Sequence, residues 1–359
     1  MPKADIWPFW AKLKNDILAA RTTAISLFGK GWGNMIVPRR RFLHLAAGVA
    51  ALPALPRVAF ALDYPTRPVH VIVGFPGGSI SDVQARLIGQ WLSDRLGQPF
   101  IIENKPGASG NIATEFVVRA PPDGYTLLLI GSNHAVNASL FGKLSFDSIR
   151  DIAPVAGIMH TWGVMEVNPS VPARTAAEFI AYAKANPGKI TMATAGKGSI
   201  LNMYGALFML MTGIDLVDVT YRGAPPALID VIAGRAQLMF DNVATSLEQI
   251  RAGKVRPLAV TATKRLDVLP DVPPLSDFVP GYEAGLWQGL AAPKGTPAEI
   301  VDKLNATVNA GLADPAIKAR LTQYSLVPMP MTPADFGKLI ADEAEKWGKV
   351  IREAHITAG

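Results

Sequence analysis

The chain has 359 residues, 49% of them hydrophobic and 18% charged; this excludes a disordered protein and supplies enough apolar surface for a sizeable core in about two domains. It contains no cysteine, which excludes a disulfide framework, a thiolate zinc site, a cysteine nucleophile and a lipid-bearing cysteine. The net charge of +6 belongs to the leader: residues 1–61 hold nine of the 35 basic and two of the 29 acidic residues, leaving the remainder at −1, so no nucleic-acid partner is expected.

The leader reads as an export signal. Arg39-Arg40-Arg41-Phe42-Leu43 precedes an alanine-rich apolar run from Leu45 to Leu55, and Ala59 and Ala61 are small residues at the spacing of a cleavage point. Pro53 and Pro56 interrupt that run, which is too short for a spanning helix of about 20 apolar residues. The arginines fit the twin-arginine pattern that exports folded proteins; an ordinary secretory signal is the other reading. Both place the mature chain, from near Leu62, outside the cytoplasm. Residues 1–34 exceed what a signal carries, so Met35 is expected as the natural start, 1–34 as an upstream extension and 35–61 as the signal peptide.

From Tyr64 onward strand, loop and helix recur. A β-branched run over 69–74 predicts a strand, and Val83, Leu87, Trp91 with Ile88, Leu92, Leu96 predict a helix over 82–96 that stops at Gly97. Strand 99–103, the turn cluster from Asn104 to Asn111, a helix to about Ala120 and strand 126–130 follow. The second half repeats the scheme. Strand 189–193 leads through Ala195-Gly-Lys-Gly-Ser199 to a helix ending at Gly213; strand 216–220 leads to one ending at Gly234; strand 237–240 leads through Asp241-Asn242 to one ending at Gly253. The pattern argues for an α/β protein with parallel sheets, whose ligands sit beyond the carboxyl ends of the strands. The chain is expected to leave the first sheet near Val164, return near Trp287 and end in a helix over 333–354. Two crossings imply two lobes.

The stretch Phe75-Pro-Gly-Gly-Ser-Ile-Ser-Asp82 is the first such strand-to-helix turn. Ser81 as N-cap with Gln84 three residues on would form a capping box. Gly77 and Gly78, without β-carbons, then let backbone N–H groups face a carboxylate or phosphate at the helix start. A tight connection is the plainer reading of one such turn; several polar loops together make a shared concave site the simpler account.

No G-x-S-x-G elbow, P-loop or third glycine of a dinucleotide fingerprint occurs. His70, His134, His160 and His355 lack metal-ligand spacing, so no metal or cofactor is expected. His134 can act as a base, a ligand donor or a structural helix-start residue. Asp241 can accept from a ligand or cap the next helix. Lys197 and Arg222 can neutralise an anion or remain solvated loop charges.

Taken together, Tyr64-Pro-Thr-Arg-Pro, Phe75-Pro-Gly-Gly, Asp82, Glu103-Asn-Lys-Pro-Gly-Ala, Gly110-Asn-Ile, Pro122-Asp-Gly-Tyr-Thr-Leu and Leu238-Met-Phe-Asp-Asn resemble the tripartite tricarboxylate transporter receptors, the Bug-type periplasmic solute-binding proteins. The resemblance spans the mature chain and implies a type II periplasmic binding protein-like fold, two α/β lobes closing on a ligand cleft with two crossover strands. Its domains would be 62–163 for the first part of lobe 1, 164–284 for lobe 2, and 285–359 for the return to lobe 1 and the C-terminal helix.

The resemblance also implies a small organic carboxylate as ligand, large and small membrane permease subunits as partners, a monomer and no catalysis. Of the binding residues it implies, Phe75, Pro76, Gly77, Gly78 and Ser79 form a first loop, Ser132 and Asn133 a second, Ala195, Gly196 and Ser199 a third, with Asp241 an acidic position nearby. The family's Pro-Ser-His after the third loop is replaced by Ile200-Leu-Asn202, so Asn202 takes over that contact or the contact is lost. Ile80 and Ile200 favour a ligand with apolar surface. A ligand-sensing partner of a signalling system, or a hydrolase using Ser199, His134 and Asp241, are the competing functions.

Overall fold

The computed structural model describes residues 63–142, 144–196 and 198–357. The upstream extension, the signal motif, its cleavage point and Lys197 lie outside the described residues.

Strand β1 (Val69–Val73) pairs in parallel with β2 (Phe100–Asn104) and β3 (Thr126–Gly131). β3 shows why its run is apolar throughout. Leu127 and Leu129 enter one core while Leu128 and Ile130 enter the other, because successive side chains face opposite sides of the sheet. Helix α1 (Ile80–Leu96), a single 3-10 turn with α2 (Asn111–Val118), and α3 (Ser132–Leu140) follow the three strands.

The 16-residue strand β4 (Ile152–Val167) then serves both sheets. It pairs with β9 (Gly285–Pro293) from Ile152 to Trp162, and with β7 (Leu238–Asn242) and β8 (Arg256–Val260) from Gly163 to Val167. In the second lobe β5 (Thr191–Thr194) lies between β6 (Val217–Thr220) and β7, all parallel. Helices α4 (Ala176–Ala185), α5 (Ile200–Thr212), α6 (Ala224–Ile232) and α7 (Val243–Arg251) complete it. The return strand β9 is followed by α8 (Ala298–Ala313), α9 (Pro315–Gln323), the short β10 (Val327–Pro328) and α10 (Pro333–Glu353).

The protein is thus two α/β lobes joined by β4 and by the segment entering β9. The sheets are mixed rather than parallel: β9 runs antiparallel to β3 and β4, and β4 antiparallel to β7 and β8. The crossings explain this. A strand coming back from the other lobe enters its sheet at the end where the sheet's own strands leave, so it must run against them.

Helix α10 buries Phe336, Ile340, Trp347, Val350 and Ile351. It packs against α3 of the first lobe and α5 of the second, with Trp347 and Tyr204 rings 6.5 Å apart. Among the described residues no helix is long and apolar enough to cross a membrane.

Candidate functional site

The pairing registers bring the two sets of strand ends face to face. Gly131, the end of β3, lies opposite Gln288 of β9, which lies opposite Met159 of β4. Asn242, the end of β7, lies opposite Gly163 of β4. β3 runs with β4 and β7 against it, so their carboxyl ends approach each other over the four residue steps from Met159 to Gly163, roughly 13 Å of strand. β1 runs parallel beside β3 and β5 parallel beside β7, so the loops after β1 and β5 leave the same ends of the sheets as those after β3 and β7.

In the first lobe the start of α1 is fixed two residues earlier than Ser81 and Gln84 imply. Ser79 is the N-cap: its Oγ accepts from the Asp82 N–H at 3.3 Å, and Asp82 Oδ2 accepts from the Gly78 N–H at 2.9 Å. Asp82, a charged acceptor at the third helical position, outcompetes neutral Gln84 for this work. Ser81 instead faces inward and accepts from Gln288 Nε2 at 2.5 Å, tying α1 to β9.

Gly78 has φ of +80°, a conformation that favours glycine. Asn104 Nδ2 donates to Phe75 O at 3.0 Å and Ser79 N–H to Pro76 O at 3.2 Å, holding the loop. Pro76, Gly77 and Gly78 are exposed, and Phe75 and Ser79 half-buried. Hydrogen bonds from Arg86 and from the Gly78 N–H hold the Asp82 carboxyl below its ordinary value against the cost of its burial. The Gly78 amide is therefore already occupied by an internal carboxylate, and the first-turn amides of Ile80 and Ser81 have no partner within the helix.

The second lobe carries the same device. Ser199 caps α5, its Oγ accepting from Asn202 N–H at 3.2 Å, and Asn202 Oδ1 accepts from Gly198 N–H at 3.0 Å. Asp218 then accepts from Asn202 Nδ2 at 2.7 Å and from Thr194 Oγ1 at 2.6 Å. Gly78-Ser79-Ile80-Ser-Asp82 and Gly198-Ser199-Ile200-Leu-Asn202 are one motif used twice, with an ionised acceptor in one lobe and an amide in the other. Gly198, φ +72°, meets Leu140 of α3 where a side chain would otherwise sit, so this turn touches the first lobe directly.

The remaining residues divide between the cleft and its supports. Ala195, Gly196 and Ser199 lie on the β5–α5 turn, with Gly196 O accepting from Ser199 N–H at 3.1 Å. Asn133 is half-buried and donates to Ser109 O at 2.7 Å. Ser132 is buried, its Oγ accepting from Trp287 N–H at 2.8 Å, so it braces the crossing strand.

His134 is buried, its ring hydrogen-bonded within the first lobe. Its Nδ1 accepts from Gly131 N–H at 3.1 Å and its Nε2 lies 2.8 Å from Thr114 Oγ1, whose own proton goes to Gly110 O. Burial pushes the imidazole down to about 4, so it is neutral. Asp241 is likewise fully buried, holding Asn242 N–H at 2.7 Å and Ser246 Oγ at 3.2 Å. Asn202 is committed to its loop and Ile200 to the core, leaving Ile80, 39% exposed, as the apolar side chain available to a ligand. Arg222 is exposed on the β6–α6 turn. Among the described residues no cluster of His, Asp or Glu is arranged to hold a metal ion.

Sequence reading missed Glu166, Ser246, Asn104 and Asp218. The doubled Gly-Ser-Ile motif is the signal that would have led to Asn202 and thence Asp218; Glu166, a lone charge in Val-Met-Glu-Val, is the signal for the buried acids.

Residues 84–356 match the family described as the tripartite tricarboxylate transporter family receptor. BugT of Bordetella pertussis is 34% identical over 81% of this chain and 90% of its own length. Among solved structures, Rpa4515 of R. palustris with adipate superposes with a TM-score of 0.71 at 36% identity, covering 82% of this chain and 99% of that one. MatC of Rhodopseudomonas palustris with bound malate gives 0.68 at 33%, covering 80% and 100%. With two lobes, facing strand ends and these matches, the chain belongs to the tripartite tricarboxylate transporter receptor family of solute-binding proteins.

Proposed function

We propose that this protein is an exported, periplasmic receptor that captures a small organic carboxylate between its lobes and delivers it to the large and small permease subunits of a tripartite transporter, without catalysis. One observation carries the reading: the same Gly-Ser-Ile cap starts a helix after β1 in one lobe and after β5 in the other, and the neighbours of these strands, β3 and β7, end towards each other along β4. First-turn amides at a helix start favour an anion without needing a cationic side chain.

The acceptors already present tune the choice. Asp82 places one ionised carboxyl, balanced by Arg86, at the first-lobe turn, so that turn suits a ligand end held partly through water or a hydroxyl. Exposed Ile80 favours a ligand with a methylene chain between its polar ends. Relatives at about a third identity carry adipate and malate, which makes linear dicarboxylates the class to expect.

Capture works by population shift. A ligand that touches both lobes stabilises the closed arrangement, and the closed arrangement is what the permease would distinguish. A thermal-shift screen with adipate, malate, citrate and benzoate tests this. A ligand present at one hundred times its dissociation constant adds about 2.7 kcal/mol of apparent stability. Shifts confined to linear dicarboxylates, with the ligand recovered unchanged, are expected; no shift with any carboxylate would overturn the reading.

A further inference from the structure

Glu166 and Asp241 are both fully buried. Glu166 lies opposite Met239 and Asp241 opposite Val164 in the β4–β7 pairing, so the two acids are diagonal neighbours on one face. α7 packs against both strands. Its Ser246 Oγ lies 2.7 Å from Glu166 Oε1 and 3.2 Å from Asp241 Oδ2.

A hydroxyl has one proton to give. With both acids ionised, Ser246 could donate to only one, and the other oxygen would face it lone pair to lone pair. Both contacts are satisfied when one carboxyl is protonated and donates to Ser246 Oγ while Ser246 donates to the other.

The surroundings supply no compensating cation among the described residues. α5 presents Tyr204, whose pKa is raised by burial first and then by the charges of Glu343 of α10 and of Asp241. Arg256 of β8 spends its guanidinium on the carbonyls of Pro169, Val171 and Ala173. Burial, reinforced by the Asp241 charge, pushes Glu166 up to about 8, and burial pushes Asp241 up to about 7.

The pair adjoins the cleft. Asp241 Oδ1 holds the Asn242 N–H, and Asn242 pairs with Gly163 where β4 passes between the lobes. We infer that Glu166, Ser246 and Asp241 form a proton-holding triad that limits negative charge at the cleft end of β7, so that capture of a carboxylate weakens when the triad loses its proton. The inference rests on the carboxylate-receptor reading of the same cleft.

Glu166→Gln tests it, because an amide can donate to Ser246 as the protonated acid does but cannot ionise. Calorimetric affinities for adipate and malate are measured from about pH 6 to about pH 9, the window in which the pair titrates. The wild type is expected to lose up to about tenfold in affinity per pH unit on the alkaline side, the limit for one linked proton. Glu166→Gln, in which Asp241 alone is left to titrate, is expected to lose affinity less steeply than the wild type on the alkaline side. A flat wild-type profile, or the same slope in both proteins, would overturn the inference.

The ligand-free proteins give an independent readout. The wild-type minus Glu166→Gln infrared difference at about pH 6 is expected to contain the band of a protonated carboxyl. Its absence would sink the triad even if no carboxylate ever bound. Failure of every carboxylate to bind would instead strike the receptor reading, and the infrared difference would still decide where the proton is.

Discussion

A carboxylate at the third position of a helix stabilises it by holding amides that the helix leaves unpaired, and Asp82 does this with the Gly78 N–H from outside the helix. Ser79 and Ser199 perform the complementary half. Ser79→Ala is expected to cost about 1 kcal/mol, the usual loss at an N-cap, read as a lower urea midpoint with an unchanged slope. His134 makes a contrasting expectation. Its ring should stay neutral until well into the acid range, because its folded value of about 4 lies below the ordinary one near 6.5; ring proton shifts followed through a pH titration would check this.

The signs combine into a stability profile. His134, depressed on folding, contributes stability that is present above about pH 6.5 and lost as pH falls through about 4. Glu166 and Asp241 are raised on folding: below their unfolded values near 4 they cost nothing, and stability is lost as pH rises through about 7 and about 8. Melting temperature is therefore expected to decline from mildly acid to alkaline pH, and to decline less in Glu166→Gln. An equal decline in both would place the alkaline loss elsewhere.

At the scale of elements, the turns of the two lobes are equivalent in form and unequal in surroundings. Gly198 combines a positive φ with close approach to Leu140, so Gly198→Ala is strained in conformation and in space. It is expected to cost more than 1 kcal/mol of stability, beyond the usual range for surface changes, and to weaken ligand binding. Gly213→Ala, at a helix end with open space around it, is the control for the φ penalty alone.

The parallel strands and their following helices were legible because short β-branched runs ended in Gly- or Ser-rich turns. β4 was not, since Pro154, Gly157 and Gly163 break up its run and its continuity comes from two different sheets. The start of α1 was misread because two overlapping Ser-x-x-acceptor patterns compete there, and only tertiary contact with Gln288 shows which serine turns inward. His134 and Asp241 were visible as polar residues near strand ends; their burial against Thr114 and Ser246, distant in sequence, was not.

At the scale of the molecule, two strands and one helix connect the lobes. β4 is continuous through the crossing, β9 returns beside it, and α10 packs on α3 and α5. A hinge at Trp162–Gly163 and at Gly285 would let the strand ends approach while the far halves of both sheets stay intact. The Tyr204–Trp347 contact lies on this path, so Trp347 emission is expected to change on closure.

Hydrogen exchange with and without adipate or malate tests the central claim most directly. If the ligand bridges the two lobes, amides in both Gly-Ser-Ile turns, from Gly77 to Val83 and from Gly198 to Met203, should slow together while distant helices such as α9 stay unchanged. Protection confined to one turn, or found only away from both, would contradict capture between the lobes.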